Sequence, residues 1–298
     1  MGRHVKFTSL LLAALLLVSI SARAASPFSD WETLLDASLD WVVEISPDGA
    51  AIGGVVGEWA VMAMVRAGRG DADCPWVRGW LDALAQDGAA EVSALRRWTD
   101  YQRVVLALDA LGLDATDFHG RDFTAPFRAF VPVGLRGAMN RTVLADIFAL
   151  RALDAVGANS RMYLAHVLHL QRADGSWGLN AAAPSTAGDV DVTAMAVQAL
   201  AVHYARGDAR AVAAVGRALE WLAAQEIRDA EGAAQVLTAL VMLGEAHAEA
   251  AQNCMIVLMT WYNYAAGGFV RPGQPTRMNA MATVQAAYAL SWMRYAGL

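Results

Sequence analysis

One unit recurs six times along this chain, and the recurrence constrains the fold more than any single motif does. The unit is an Ala-rich apolar stretch whose tail often ends in Gly. Its copies are Trp59–Gly68, Tyr101–Gly112, Leu144–Gly157, Thr193–Leu200, Gln235–Gly244 and Thr283–Leu290. The alanine shared by all copies falls at 63, 107, 152, 199, 239 and 289, giving spacings of 44, 45, 47, 40 and 50 residues. That is the length of one helix pair per repeat. The glycines at 68, 112, 157 and 244 stand where a helix ends in the left-handed conformation. Amphipathic segments lie between the copies, at Trp31–Ile45, Trp76–Gln86, Phe123–Phe130, Arg161–Gln171, Ala209–Gln225 and Ala246–Tyr262. The copies are apolar nearly all round, as buried helices are; the segments between them keep one polar face. The pattern predicts an all-α fold without strands, outer and inner helices alternating six times. An open solenoid needs polar caps at its ends. Here the terminal copies carry Met62, Met64, Tyr288, Leu290, Trp292 and Met293. Closing the ring would cover them, so the expected architecture is an (α/α)6 toroid of six inner and six outer helices.

The chain opens with the signature of an export signal. Arg3 and Lys6 precede an apolar run from Leu10 to Ile20, and Ala22-Arg23-Ala24 is a small-x-small cleavage site. The run is too short for a comfortable membrane span, and no Cys follows it to anchor a lipid. The expectation is a signal peptide over 1–24 and one domain over 25–298, periplasmic or secreted, without stable membrane insertion after cleavage. Losing Arg3, Lys6 and Arg23 leaves 20 basic residues, all Arg, against 29 acidic ones, a net charge of −9. An acidic surface argues against nucleic-acid partners and anionic lipid. Cys74 and Cys254 are too few for a disulfide scaffold. In an exported protein they could pair or remain buried thiols.

Several motifs punctuate the repeats. Gln171-Arg-Ala-Asp-Gly-Ser-Trp177 ends one helix in a tight Asp-Gly turn, and Asp189-Val-Asp-Val-Thr-Ala opens the next with two carboxylates. In the first two copies stand Gly57-Glu58-Trp59 and Thr99-Asp100-Tyr101-Gln102-Arg103, and later Glu231 to Val236, Gly267-Gly268-Phe269 and Met281 to Gln285. Together these resemble the α/α-toroid superfamily of terpenoid cyclases and protein prenyltransferase β-subunits, and most closely its exported, single-toroid bacterial members. The vertebrate cobalamin carriers have a related toroid. The first motif is similar to the Gln…Gly…Trp repeat of squalene and hopene cyclases, and Asp189–Ala194 to their Asp-x-Asp-Asp-Thr-Ala acid motif. The resemblance covers the whole mature chain. Position 192 is Val, so the third carboxylate of the acid motif is missing, and there is room for one toroid where such cyclases use two. Prenyl transfer in this superfamily implies zinc held by Asp, Cys and His. The cysteines lie in none of the expected contexts, so neither prenyl transfer nor a metal or other cofactor is expected.

If the inner helices all run the same way, their N-termini meet at one end and favour anions there. That rim would hold Glu58, Asp100, Asn140, Asp189, Asp191 and Glu231, with Arg103 needing one of Asp100, Asp191 or Glu231 as its partner. Trp59, Tyr101, Met195, Gln235 and Gln285 would line a funnel beneath it, the mixture of apolar wall and few polar groups that suits a small ligand. Asp191 is expected as an N-cap, with Asp189 and Asp191 as the catalytic pair if there is chemistry. Gln171–Gly178 is expected to be architectural. Three functions follow. The first is an exported module binding a small apolar or corrinoid-like ligand. The second is an acid-catalysing enzyme, cyclase-like or active on a lipid or glycan. The third is an envelope interaction scaffold.

Overall fold

The computed structural model describes residues 30–86, 94–180 and 187–298. The expected signal peptide lies outside them. The described residues form eleven α-helices and one small antiparallel sheet. In chain order the helices are α1 (Trp31–Ile45), α2 (Gly57–Arg66), α3 (Pro75–Ala85), α4 (Trp98–Ala110), α5 (Val143–Ala155), α6 (Arg161–His169), α7 (Val190–Ala205), α8 (Ala209–Ala223), α9 (Ala230–Met242), α10 (Glu249–Trp261) and α11 (Ala280–Tyr295). None is long and apolar enough to cross a membrane.

The six Ala-rich copies are α2, α4, α5, α7, α9 and α11, and most of their residues are buried on every side. Each packs against the next, and α11 packs against α2. Their start ends touch pairwise. The Trp98 amide donates to Asn140 just before α5, and Asn279 before α11 reaches Glu231 at the start of α9. At the other ends His203 of α7 meets Asp154 of α5 at 2.8 Å. The inner helices therefore run alike. The intervening helices bury one stripe. On α8 it is Ala211, Ala214, Val215, Ala218 and Leu222, the spacing of a single helical face. In this way α1 packs on α11, α6 on α5, α8 on α7 and α10 on α9.

Two expectations fail. The amphipathic segment Phe123–Phe130 forms turns and no α-helix, so five one-faced helices are present among the described residues where six were expected. Asp122 caps this stretch through the Thr124 amide and hydroxyl, and Pro126 interrupts it, which favours turns over a helix. A buried ion pair beside it, Arg136 to Asp146 at 2.6 Å, fixes the following loop to α5, with the guanidinium over Trp98 and Phe130. The second failure concerns strands. Tyr262–Asn263, Gly268–Arg271 and Gln274–Met278 (β1 to β3) form an antiparallel meander. The Pro272-Gly273 turn joins β2 to β3, with Gly273 at φ 77° as the third residue of a type II turn requires. Strand β2 packs against α1 and α11, and the Phe269 amide donates to the Thr283 hydroxyl at 2.9 Å. Cys74 and Cys254 do not pair; both are free thiols.

The Gln171–Gly178 joint is architectural in every contact. Gln171 donates to the carbonyls of Gly175 (2.9 Å) and Ala214 (2.8 Å), tying α6 to α8. Trp177 is fully buried, donates from its indole to Val167 O at 2.8 Å, and exchanges backbone bonds with the Thr193 hydroxyl of α7. Gly175 has φ 93°, and a Cβ there would collide with the Arg217 carbonyl.

Candidate functional site

Helices α7 and α9 are neighbours, and each begins with the same device. Asp189 is the N-cap of α7 and accepts from the Val192 amide at 3.0 Å. Asp229 is the N-cap of α9 and accepts from the Gly232 amide at 2.8 Å. Two residues further on, in the first turns, stand Asp191 and Glu231. The cap of α7 is therefore Asp189 and not Asp191, because the chain enters the helix two residues earlier than expected. Gly232 lets the helices come close. A Cβ there would lie 3.3 Å from both Asp191 Oδ1 and Asp229 Oδ1.

The four carboxylates differ in what satisfies them. Asp189 and Asp229 hold backbone amides. Glu231 accepts from Arg271 of β2 at 3.1 Å and from Asn279 at 3.0 Å, so the meander supplies its counter-charge. Asp191 has no cation within 4 Å among the described residues. Burial pushes its carboxyl up to about 7, and the charges of Asp189, Asp229 and Glu231 push the same way. The cluster therefore keeps its proton on Asp191, as like charges around one partly desolvated acid require. Among the described residues no three His, Cys, Asp or Glu side chains are grouped as metal ligands.

The opposite part of the rim is a closed ion cluster. Glu58 is fully buried and accepts from the Gly53 amide at 2.8 Å, with Arg103 Nε 3.4 Å away. Burial raises its carboxyl, and Arg103 opposes the rise. Arg103 also meets Asp100 at 3.0 Å, while the other oxygen of Asp100 accepts from the Arg96 and Arg97 amides. So Arg103 takes Asp100 as expected, and Glu58 as well; Asp191 and Glu231 are on other helices. Tyr101 is half-buried in the same turn.

Beneath the rim the expected funnel wall is packed. Trp59 stands edge-on to Tyr288 (4.8 Å) and Phe148 (6.0 Å) and is 5% exposed. Gln235 is fully buried and takes part in a polar chain across the inner helices. Arg151 donates to Gln198 and to the Tyr288 hydroxyl, each at 2.9 Å, and Gln198 donates to Gln235 Oε1 at 2.9 Å. Met195 and Gln285 are each 8% exposed. Gln235 Nε2 and Gln285 Oε1 are buried with no hydrogen-bond partner among the described residues.

Asp229 was not among the residues expected at the rim. The repeat carried the signal. Asp189 precedes the shared Ala199 by ten residues, and Asp229 precedes Ala239 by the same ten. No protein-family model matches this chain, and no curated protein matches it.

Proposed function

We propose that the six inner helices and their partners form an (α/α)6 toroid of the terpenoid-cyclase and prenyltransferase kind, exported by its N-terminal segment, and that it binds a small, largely apolar ligand at the rim over α7 and α9. The single observation that carries this is Asp191: a carboxyl that burial, reinforced by the charges of three neighbouring carboxylates, pushes up to about 7. A neutral carboxyl donates a hydrogen bond that a carboxylate cannot. Gln285 Oε1, unpartnered among the described residues and about one helical turn in from the rim, would complete the polar contacts of a ligand that is otherwise apolar or corrinoid-like. Mass spectrometry of small molecules released from natively purified protein tests this. A specific co-purifying ligand, retained at pH 6 and lost in Asp191→Leu, is the expected result. Protein that emerges empty, and whose melting temperature no isoprenoid or corrinoid shifts, overturns it.

The same acid favours a second reading, in which Asp191 transfers its proton. A general acid works best when its pKa lies near the operating pH, and about 7 meets that condition. A lipid or glycan substrate would then lose turnover in Asp191→Asn with the fold intact. Polyene cyclisation is the weaker form of this reading, since alkene protonation needs a far stronger acid than Asp191, and Val192 stands where the further carboxylate would be.

A further inference from the structure

A cavity lies away from the acidic rim, in the furrow that α8 and α10 leave over the flank of α9. Its volume is about 550 Å³, within the roughly 300–1,000 Å³ of small-molecule pockets. Leu222 of α8 and Val236, Ala239 and Leu240 of α9 form an apolar floor, and all four are buried. The small side chain of Ala239 leaves the space open. Glu245, in the turn after α9, and Glu249, the first residue of α10, stand exposed in the lining.

The charged side chains of the lining, Glu245 and Glu249, are both acidic. From residue 229 to residue 270 the chain holds Asp229, Glu231, Glu245 and Glu249, and no Lys or Arg. The nearest arginine before that stretch, Arg228, is engaged by Glu226 at 2.6 Å. Among the described residues no cation lies within 4 Å of Glu245 or Glu249. A groove with an apolar floor and two uncompensated carboxylates at its edge selects for an occupant with the complementary distribution.

We propose that this cleft binds a small cationic amphiphile, its alkyl chain on Leu222, Val236 and Leu240 and its ammonium group between Glu245 and Glu249. The apolar body supplies affinity, and the carboxylates reject anionic lipids of the same length. Calorimetric titration with decyltrimethylammonium, below its micelle-forming concentration, tests the proposal against decyl sulfate of matched chain length. The expected result is saturable binding of one cation per chain, with the anion weaker by at least roughly tenfold. The E245Q/E249Q double variant should bind the cation roughly fivefold more weakly, the scale of two partly exposed ion pairs, and should lose its salt dependence. Ala250→Trp, at the edge of the cleft, should abolish binding. Should that variant not fold, the double Gln variant at exposed positions still decides. Asp191→Asn should leave the affinity unchanged. Absent saturation, equal affinity for the anion, or an unaffected double variant would overturn the proposal. So would loss of binding in Asp191→Asn, which would place the ligand at the rim.

Discussion

Replacing Asp191 with Asn tests the electrostatics of the rim without changing its shape. The carboxyl sits at about 7 in the folded chain against an ordinary value of 3.8. A tenfold change in proton affinity is worth about 1.4 kcal/mol, so the difference between the two protonation states is on the order of 4 kcal/mol. The sign follows from which state holds the proton. Between pH 4 and 7 the folded chain keeps it and the unfolded chain does not, so stability from this group is full below pH 4 and is lost as the pH rises through 7. Asn is neutral at every pH. Its advantage over Asp is therefore nil at pH 4, appears between pH 5 and 7, and reaches roughly 4 kcal/mol by pH 8. For a chain of this size that corresponds to a melting temperature about 10 °C higher. Denaturant unfolding of both proteins at pH 4, 6 and 8 measures it. The difference between them at each pH cancels every other titrating group to first order. An Asn variant that is equally or less stable at pH 8, or a difference that does not change with pH, refutes the reasoning and makes Asp191 an ordinary exposed carboxylate.

Three other perturbations separate architecture from site. Arg103→Met strips Glu58 of its only cation among the described residues while leaving it fully buried, and should cost about 3–5 kcal/mol; adding Glu58→Gln should recover part of that loss in urea unfolding. Gly175→Ala places a Cβ against the Arg217 carbonyl at φ 93° and should destabilise by at least about 2 kcal/mol, with no change in ligand affinity once the variant is folded. Burial pushes the Cys254 thiol up to about 12, while Cys74 is partly exposed. Maleimide at pH 7.5 should therefore add one label to the native protein, on Cys74, and two after denaturation, read by mass spectrometry; a native disulfide would give none.

Much of this architecture was legible because it is periodic. The shared alanine placed all six buried helices, and the one-faced stripes placed α1, α3, α6, α8 and α10. Periodicity failed where a segment is short and its neighbours decide its form. Phe123–Phe130 has helical spacing, yet Asp122, Thr124 and Pro126 bend it into turns, and Tyr163 holds it by donating to Phe127 O at 2.9 Å. Gly267-Gly268-Phe269 reads as a motif, but the Pro272-Gly273 turn and the buried Phe269 make the stretch around it a meander. At the rim, residue types located Asp189, Asp191 and Glu231. They could not tell a cap from a free acid, because that depends on where each helix begins. The ten-residue offset to the shared alanine does tell them apart: Asp189, Asp229 and Asn279 all stand at it, and all three cap.

That offset also bears on why the acids at the α7 and α9 starts differ from Glu58 and Asp100, which share Arg103. At each inner-helix start after the first, the position two beyond the offset lies in the first turn, past the N-cap. It holds Thr99, Leu144, Asp191, Glu231 and Met281 in turn. Only the adjacent α7 and α9 carry acids there, and the α9 acid is neutralised by Arg271 and Asn279. The remaining acid, Asp191, has the caps of both helices beside it and no cation within 4 Å among the described residues. The interior gives the complementary argument. Arg151, Gln198, Gln235 and Tyr288 form one hydrogen-bonded chain, and Trp59 closes on Tyr288 and Phe148, so the centre of the inner helices is filled by packed side chains. A ligand entering from this end would meet unfilled hydrogen-bonding capacity at Asp191 and Gln285 Oε1 before it met that network. Binding confined to the rim should therefore respond to Asp191→Leu and to Gln285→Leu, and not to Arg151→Met in protein that remains folded. A ligand lost only with Arg151 would lie in the centre instead, and the rim would be structural.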